Sequence, residues 1–215
     1  MDVFADRAEA GELLAERLRD LRDPVVLALP RGGVAVALPV ARRLGGVLDV
    51  LVTRKIGYPP MPELGVGAIA EGGEPVLDLP LLARLGLQPS SVAGVVEDER
   101  RELARRVRVY RGDRPLPELT GREVVVVDDG LATGGTARAA LRAVRRAKPA
   151  WLTLAVPVGA RETVHALREE ADDVVVLAMP PDFRAVGQWY VHFDQLSDAD
   201  VLDLLNQGRE GEPSP

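Results

Sequence analysis

The sequence contains no cysteine. That excludes disulfides, thiolate-bound metals and cysteine nucleophiles. Its two histidines, His165 and His192, are too few for a histidine-rich metal centre. Aromatic residues make up only 4% of the 215 residues, so the core must be built from Val, Leu and Ala. No apolar run is long enough to span a membrane. The opening stretch, MDVFADRAEAGELLAERL, mixes charges from its second residue and lacks the pattern of a signal peptide. Lysine is scarce: of 27 basic residues only Lys55 and Lys148 are lysine, the rest being arginine. The formal net charge of −6 argues against a general nucleic-acid binder. A cytoplasmic location is expected, with neither nucleic acid nor membrane as partner.

Hydrophobic residues at 47% and charged residues at 28% describe a folded globular chain. Asp6–Leu21 has apolar residues at helical spacing. Val25–Leu29 reads as a buried strand, Val34–Leu44 as a helix ended by Gly45-Gly46, and Leu48–Thr53 as a second strand. Arg54–Gly65 reads as a Gly/Pro-rich loop, followed by a hairpin of Val66–Ala70 and Pro75–Asp78. Leu81–Leu85 is a brief helix, and Ser90 or Ser91 is placed to cap a polar helix reaching about Arg111. That helix is either solvated or partner-facing. Arg122–Val127 is the most apolar strand. A helix over about Thr136–Lys148, a strand at Trp151–Pro157, a helix at Arg161–Glu170 and a strand at Val174–Ala178 come next. Ser197 opens a last short helix.

This alternation predicts an α/β fold, a parallel sheet with helices on both faces, plus a small hood and helical appendage. One domain over 1–205 is expected. About 78–118 would be a helical insertion, about 180–195 a hood segment, and 206–215 a disordered tail.

The segment Val124-Val125-Val126-Val127-Asp128-Asp129-Gly130-Leu131-Ala132-Thr133-Gly134-Gly135-Thr136 carries the most chemistry. Two carboxylates stand at the C-terminal end of a buried strand, where open α/β sheets bind ligands. A loop of small residues then opens a helix. Its free N–H groups favour an anion, and Thr133 and Thr136 add hydroxyls. The carboxylates repel that anion unless a cation or hydroxyl groups lie between. A ligand with a phosphate, vicinal hydroxyls and a magnesium-bound group satisfies all of these. The loop has neither a Walker A Gly-Lys-Ser/Thr nor a G-x-G-x-x-G pattern.

This block resembles the 5-phosphoribosyl-1-pyrophosphate (PRPP) motif of type I phosphoribosyltransferases. The resemblance implies that Asp128 and Asp129 face the ribose 2′- and 3′-hydroxyls and hold Mg²⁺ directly or through hydroxyls and water. Ala132, Thr133, Gly134, Gly135 and Thr136 would wrap the 5-phosphate. In the hypoxanthine-guanine branch the position of Ala132 is an acid, so alanine here argues against simple 6-oxopurine chemistry.

Pro30-Arg31-Gly32-Gly33 resembles the pyrophosphate loop of the same family. Arg31 would be a cationic clamp and Gly32 and Gly33 would expose N–H groups. The resemblance also implies a cis or strained Pro30–Arg31 peptide, with Arg31 directed into the cleft of Asp128 and Thr136. Arg54 and Lys55 open either a solvated surface loop or a mobile lid that carries cations onto the pyrophosphate. Glu63 and Glu71 are either solvated or contacts to metal-bound water. The stretch from Pro180 to Tyr190 holds Phe183, Trp189 and Tyr190. It is either a hydrophobic plug or an acceptor hood built with Val186. It resembles the Pro-Asp-x-Phe-x-Val-Gly stretch of purine members, but its Phe is shifted by one. Val191 also stands where an acid is found.

Taken together, RGGVAVA, RKIG…PELGVGAIAEGG, VDDGLATGG and AVGQWY resemble a bacterial branch of predicted phosphoribosyltransferases whose acceptor is unassigned. The resemblance implies a Mg²⁺-dependent transfer of the 5-phosphoribosyl group from PRPP to a small-molecule nitrogenous acceptor. Asp128, Asp129, Arg31 and Lys55 would be catalytic, and Arg54 would bind PRPP. The alternative is a PRPP- or nucleotide-sensing protein that keeps the fold and does no transfer. A homodimer is left open.

Overall fold

The computed structural model describes residues 3–209. It begins with helix α1 (Arg7–Arg17), whose N-terminus is capped by the Asp6 carboxylate accepting from Glu9 N. Strand β1 (Val25–Ala28), helix α2 (Gly32–Leu44) and strand β2 (Val47–Val50) come next. Gly45 ends α2 in the left-handed conformation, with φ of 66°. After β3 (Thr53–Tyr58), β4 (Met61–Ala70) and β5 (Val76–Leu77) come α3 (Leu79–Arg84) and the long α4 (Ala93–Arg111). The chain then continues through β6 (Glu123–Val127), α5 (Gly135–Arg146), β7 (Trp151–Val158), α6 (Arg161–Leu167), β8 (Asp173–Ala178) and α7 (Asp198–Arg209).

Five strands form a parallel sheet in the order β2-β1-β6-β7-β8. Its central strands are apolar on both sides because both sides are covered. Val26, Ala28, Val125 and Val127 point into a core shared with Leu14 and Ala15 of α1 and Val36 and Val40 of α2. Their neighbours Val25, Leu27, Val124 and Val126 point the other way, onto Ala137, Leu141 and Val144 of α5 and Val164 and Leu167 of α6. Fully burying each valine contributes about 1.5–3 kcal/mol. Helices therefore lie on both faces, as the alternation of elements requires.

The segment read as a loop over Arg54–Gly65 is instead a β-hairpin. β3 pairs antiparallel with β4 and β4 with β5, in a separate three-stranded sheet. Ile56 and Val66 are buried, and Ala68 and Ala70 pack on Ala139 of α5. Alternating burial along a Gly- and Pro-rich strand is hard to see, because glycines carry no side chain to mark a face. The expected capping serines also differ: Pro89–Val92 forms a 3₁₀ turn, Ser91 Oγ accepts from Gln88 N, and Val92 stands at the N-cap of α4. Of the segment read as a tail, 206–209 belongs to α7 and 210–215 lies outside the described residues.

Two buried residues at the C-terminal end of α4, Tyr110 and Arg111, tie it to the rest by polar links. Arg111 is only 4% exposed. It donates to the carbonyl oxygens of Val50 (3.0 Å) and Arg114 (3.2 Å), pairs with Glu71, and stands 3.9 Å from buried Asp49. Glu71, read as solvated or as a contact to metal-bound water, is thus bound to Arg111. At the preceding residue, the Tyr110 hydroxyl donates to Asp198 of α7 at 2.6 Å. Burial first, and then that hydrogen bond, push the Tyr110 phenol up to about 12.

Removing the guanidinium in Arg111→Ala leaves buried Asp49 and half-buried Glu71 without their cation. A loss of about 3–5 kcal/mol is expected in urea titrations. Tyr110 gives a pH dependence. An unfolded tyrosine ionises near 10, while the folded one keeps its proton to about 12. The folded chain therefore binds more protons in that window, and its stability falls as pH rises from 10 to 12. The expected fall is about 1–3 kcal/mol. Tyr110→Phe should abolish this part of the slope, read from urea midpoints at pH 9 and near pH 12.

Candidate functional site

The site begins with a strand register. In the parallel sheet Ala28 of β1 stands opposite Val127 of β6. The turns leaving these two strands must therefore meet at the C-terminal edge: Pro30–Gly33 from one, Asp128 and Asp129 from the other. Leu29 N still donates to Val127 O, at 2.8 Å, before the chains part. Contact is so close at Gly32 that a Cβ there would stand 1.9 Å from Asp129 Oδ2. Only glycine fits. The Pro30–Arg31 peptide is cis, in line with the expectation from the sequence. Arg31 precedes the first residue of α2 and is half-buried. It is paired with no carboxylate among the described residues. Its charge is felt at Tyr110 of α4.

Asp128 Oδ1 accepts from Asp129 N at 2.8 Å. Burial raises Asp128 well above the usual carboxylate range, and the neighbouring Asp129 adds to the shift. Burial also raises Asp129, but the Arg7 guanidinium opposes it through a 2.8 Å hydrogen bond to Oδ2 and through its charge. Two carboxylates held side by side in a partly dry cleft are set to receive hydroxyl donors or a cation.

Beyond the pair, Leu131 extends the pairing with β7: Leu131 N donates to Val158 O and Ala160 N to Leu131 O, both at 2.9 Å. The Thr163 hydroxyl of α6 donates to Ala132 O at 2.6 Å and braces the loop. Gly134 then turns the chain into α5 with φ of 74°, a conformation that suits glycine. A Cβ on Gly135 would meet nothing within 4 Å, so its backbone faces open space. Thr133, Gly135 and Thr136 line a cavity of about 150 Å³ together with Lys55, Asp78 and Arg138. The N–H groups at the start of α5, the threonine hydroxyls and two cations are groups that can receive an anion there.

The structure thus brings Lys55 to the phosphate loop, although on a packed hairpin. Its ammonium donates to the Glu63 carbonyl. Arg54 is not brought there. Successive strand residues point to opposite faces, and Arg54 Nε pairs with Glu99 Oε2 of α4 at 2.6 Å. The hood residues divide in two. Phe183 lines an open pocket of about 620 Å³ on the other side of the loop, with Ala132, Thr133, Arg161 and Thr163. Val186 covers Gly130. Tyr190 is buried beside Phe4, with Trp189 packed against the same cluster, and its hydroxyl donates to Asp129 O at 2.6 Å. Tyr190 and Trp189 therefore pack as a hydrophobic plug, while Phe183 stands at an open pocket.

Sequence reasoning missed Arg7, Arg138 and Thr163. Arg7 stands on an amphipathic helix in an arginine-rich chain, and nothing local marks it.

The fold and these loops define a phosphoribosyl transferase domain, and the chain belongs to that family: the family model matches residues 5–191. A Thermus thermophilus protein, TT1426, is 46% identical. Its crystal structure superposes with a TM-score of 0.81, over 96% of this chain and 99% of that one. The Mycobacterium tuberculosis protein named "Putative phosphoribosyl transferase Rv0571c" is 45% identical over 209 residues, 96% of this chain and 47% of its own length. The chain thus spans about half the length of that relative. A uracil phosphoribosyltransferase of Lactobacillus delbrueckii subsp. bulgaricus is 30% identical over 190 residues, 88% of this chain and 79% of its own. Among the described residues no helix is long and apolar enough to cross a membrane.

Gly135→Val tests the phosphate cavity. A Cβ there would stand in open space above the helix start. The expected outcome is a loss of PRPP binding of at least about tenfold by calorimetry, with an unchanged melting temperature. Gly134→Val is the poorer probe, because its positive φ and the 2.5 Å approach to Thr163 would strain the fold itself.

Proposed function

We propose that the chain is a Mg²⁺-dependent phosphoribosyltransferase. It moves the 5-phosphoribosyl group of PRPP onto a nitrogen of a nucleobase or related heterocycle and releases pyrophosphate. The observation that carries this reading is the meeting of three groups at one sheet edge. The Pro30–Gly33 loop lies against Asp129, and the loop of Thr133–Thr136 opens a cavity with Lys55.

In this reading the 5-phosphate sits on the start of α5. The ribose hydroxyls face Asp128 and Asp129. The pyrophosphate lies over Gly32 and Gly33, with Arg31 beside it and Lys55 reaching it from the hairpin. The acceptor enters from the pocket lined by Phe183. A bond forms between acceptor nitrogen and C1 as the bond from C1 to the pyrophosphate oxygen breaks. The nitrogen's proton leaves to solvent. Positive charge grows on the sugar in between, and the two carboxylates stabilise it. Arg31 and Lys55 stabilise the leaving group.

Among the described residues no three carboxylate or imidazole groups cluster as a protein cage for a metal. Asp128 and Asp129 nevertheless fit Mg²⁺, a hard cation that takes one or two carboxylates and completes its shell with phosphate oxygens and water. When bound, it would neutralise charge on the pyrophosphate. The 30%-identical Lactobacillus relative is named for uracil, so pyrimidines lead the acceptors to be tried.

The test is pyrophosphate release from PRPP and Mg²⁺ with a panel of nucleobases. Release that requires an acceptor supports the reading. Asp128→Asn and Asp129→Asn are expected to lower kcat by about 100-fold or more while weakening PRPP binding less, because the charge matters most at the transition state. PRPP binding without release for any acceptor would favour a sensing protein on the same fold. No PRPP binding would refute both.

A further inference from the structure

Arg7 touches both the acidic pair and the hood. Its Nε donates to Asp129 Oδ2 at 2.8 Å, and its Nη1 donates to the Asp194 carbonyl at 2.9 Å. Its guanidinium carbon lies 3.9 Å from the centre of the Phe193 ring, and Phe193 stacks on Tyr190 at 5.1 Å. A Cβ on Gly32 would stand 3.1 Å from Arg7 Nε, so the pyrophosphate loop is the third wall of the same niche. The Arg7 side chain is only 11% exposed and Asp129 16%. Such an enclosed arginine–carboxylate pair is geometrically fixed in a way that surface pairs are not.

The surrounding backbone repeats the connection. Phe4 N donates to Trp189 O at 2.9 Å, Val191 N to Phe4 O at 2.8 Å and His192 N to Ala5 O at 2.9 Å. The Tyr190 hydroxyl holds Asp129 by its carbonyl. The start of the chain, the hood and the ribose-side carboxylate therefore form one hydrogen-bonded unit, with Arg7 at its centre. Arg7 engages Asp129 through Oδ2.

We propose that Arg7 is a positioning residue. It aims the Asp129 carboxylate and locks it to the hood, so that the ribose site and the acceptor hood are set as one. The kinetic part rests on the phosphoribosyl-transfer reading; the structural tie does not. Arginine is required because one planar fork must reach a carboxylate and a carbonyl while lying on a ring. Lysine supplies charge but not that geometry.

Two variants and two readouts decide it. Hydrogen exchange needs no activity. Arg7→Met, of similar length and apolar, is expected to raise exchange at the Val191 and His192 amides by about tenfold or more. Asp129→Asn should produce part of the same change, and the double variant no more than Arg7→Met alone. In turnover, Arg7→Met should lower kcat by about 10-fold or more with PRPP affinity changed less than about threefold. Arg7→Lys should recover most of kcat, yet keep a raised KM for the acceptor because the link to Asp194 and Phe193 is not rebuilt. Unchanged exchange in a folded Arg7→Met protein would overturn the tie. Wild-type kinetics in Arg7→Met, or equal losses in the Met and Lys variants that track melting temperature, would overturn the positioning role. A wild-type protein that binds PRPP but releases no pyrophosphate would refute the transfer reading and its kinetic consequence, while exchange would still decide the tie.

Discussion

Ala28 and Val127 face each other in the parallel pairing of β1 and β6, and the site depends on that register. Each strand ends in a turn with its own chemistry, one of glycines and arginine, the other of two carboxylates. Register brings these ends together, and a one-residue slip would turn every valine of β6 from one core to the other. The register is held by burial on both faces, through α1 and α2 on one side and α5 and α6 on the other. Apolar packing far from the chemistry thus sets the distance between Gly32 and Asp129.

That closeness creates an electrostatic conflict. Two adjacent carboxylates in a partly dry cleft repel each other, and both are raised above their ordinary range. Arg7 relieves this by its charge for both acids, but donates a hydrogen bond to Asp129 only, which leaves the two in unlike environments. The phosphate loop across the cleft adds demand for anions beside a cluster of anions. In the transfer reading proposed above, a ligand carrying hydroxyls between two phosphate groups would resolve the conflict by placing neutral donors against the carboxylates and negative charge over the N–H groups, Arg31 and Lys55.

The two smaller parts of the chain act on this edge from opposite sides. The hairpin of β3 and β4 carries Lys55 to the phosphate cavity and is anchored by Ala68 and Ala70 on α5. α4 backs it, takes Arg54 through Glu99, and is anchored through Arg111 to Val50 and Glu71. The irregular segment after β8 covers Gly130 with Val186 and holds Asp129 through Tyr190. Neither part has its own large core, so each takes its position from the sheet edge it serves.

Much of this was legible in the sequence, for physical reasons. Continuous valines between turn residues mark a strand buried on both faces, and alternating strands and helices permit few topologies. Asp128, Asp129 and Thr133–Thr136 form one contiguous block, so their chemistry needs no folding to be assembled. Contacts between distant segments were not legible. Glycines hid the alternation of the hairpin, and Arg54 and Lys55 are neighbours whose strand geometry sends them to different partners. Arg7 lies 122 residues from Asp129, and in an arginine-rich chain no local feature separates it from its neighbours. By itself, then, the sequence determined the parallel α/β fold and the chemistry at the end of β6, since both arise from residues close along the chain. Tertiary structure alone decided which cations serve that chemistry and how the hood is held to it, because those choices depend on which side chains a shared core brings within hydrogen-bond reach.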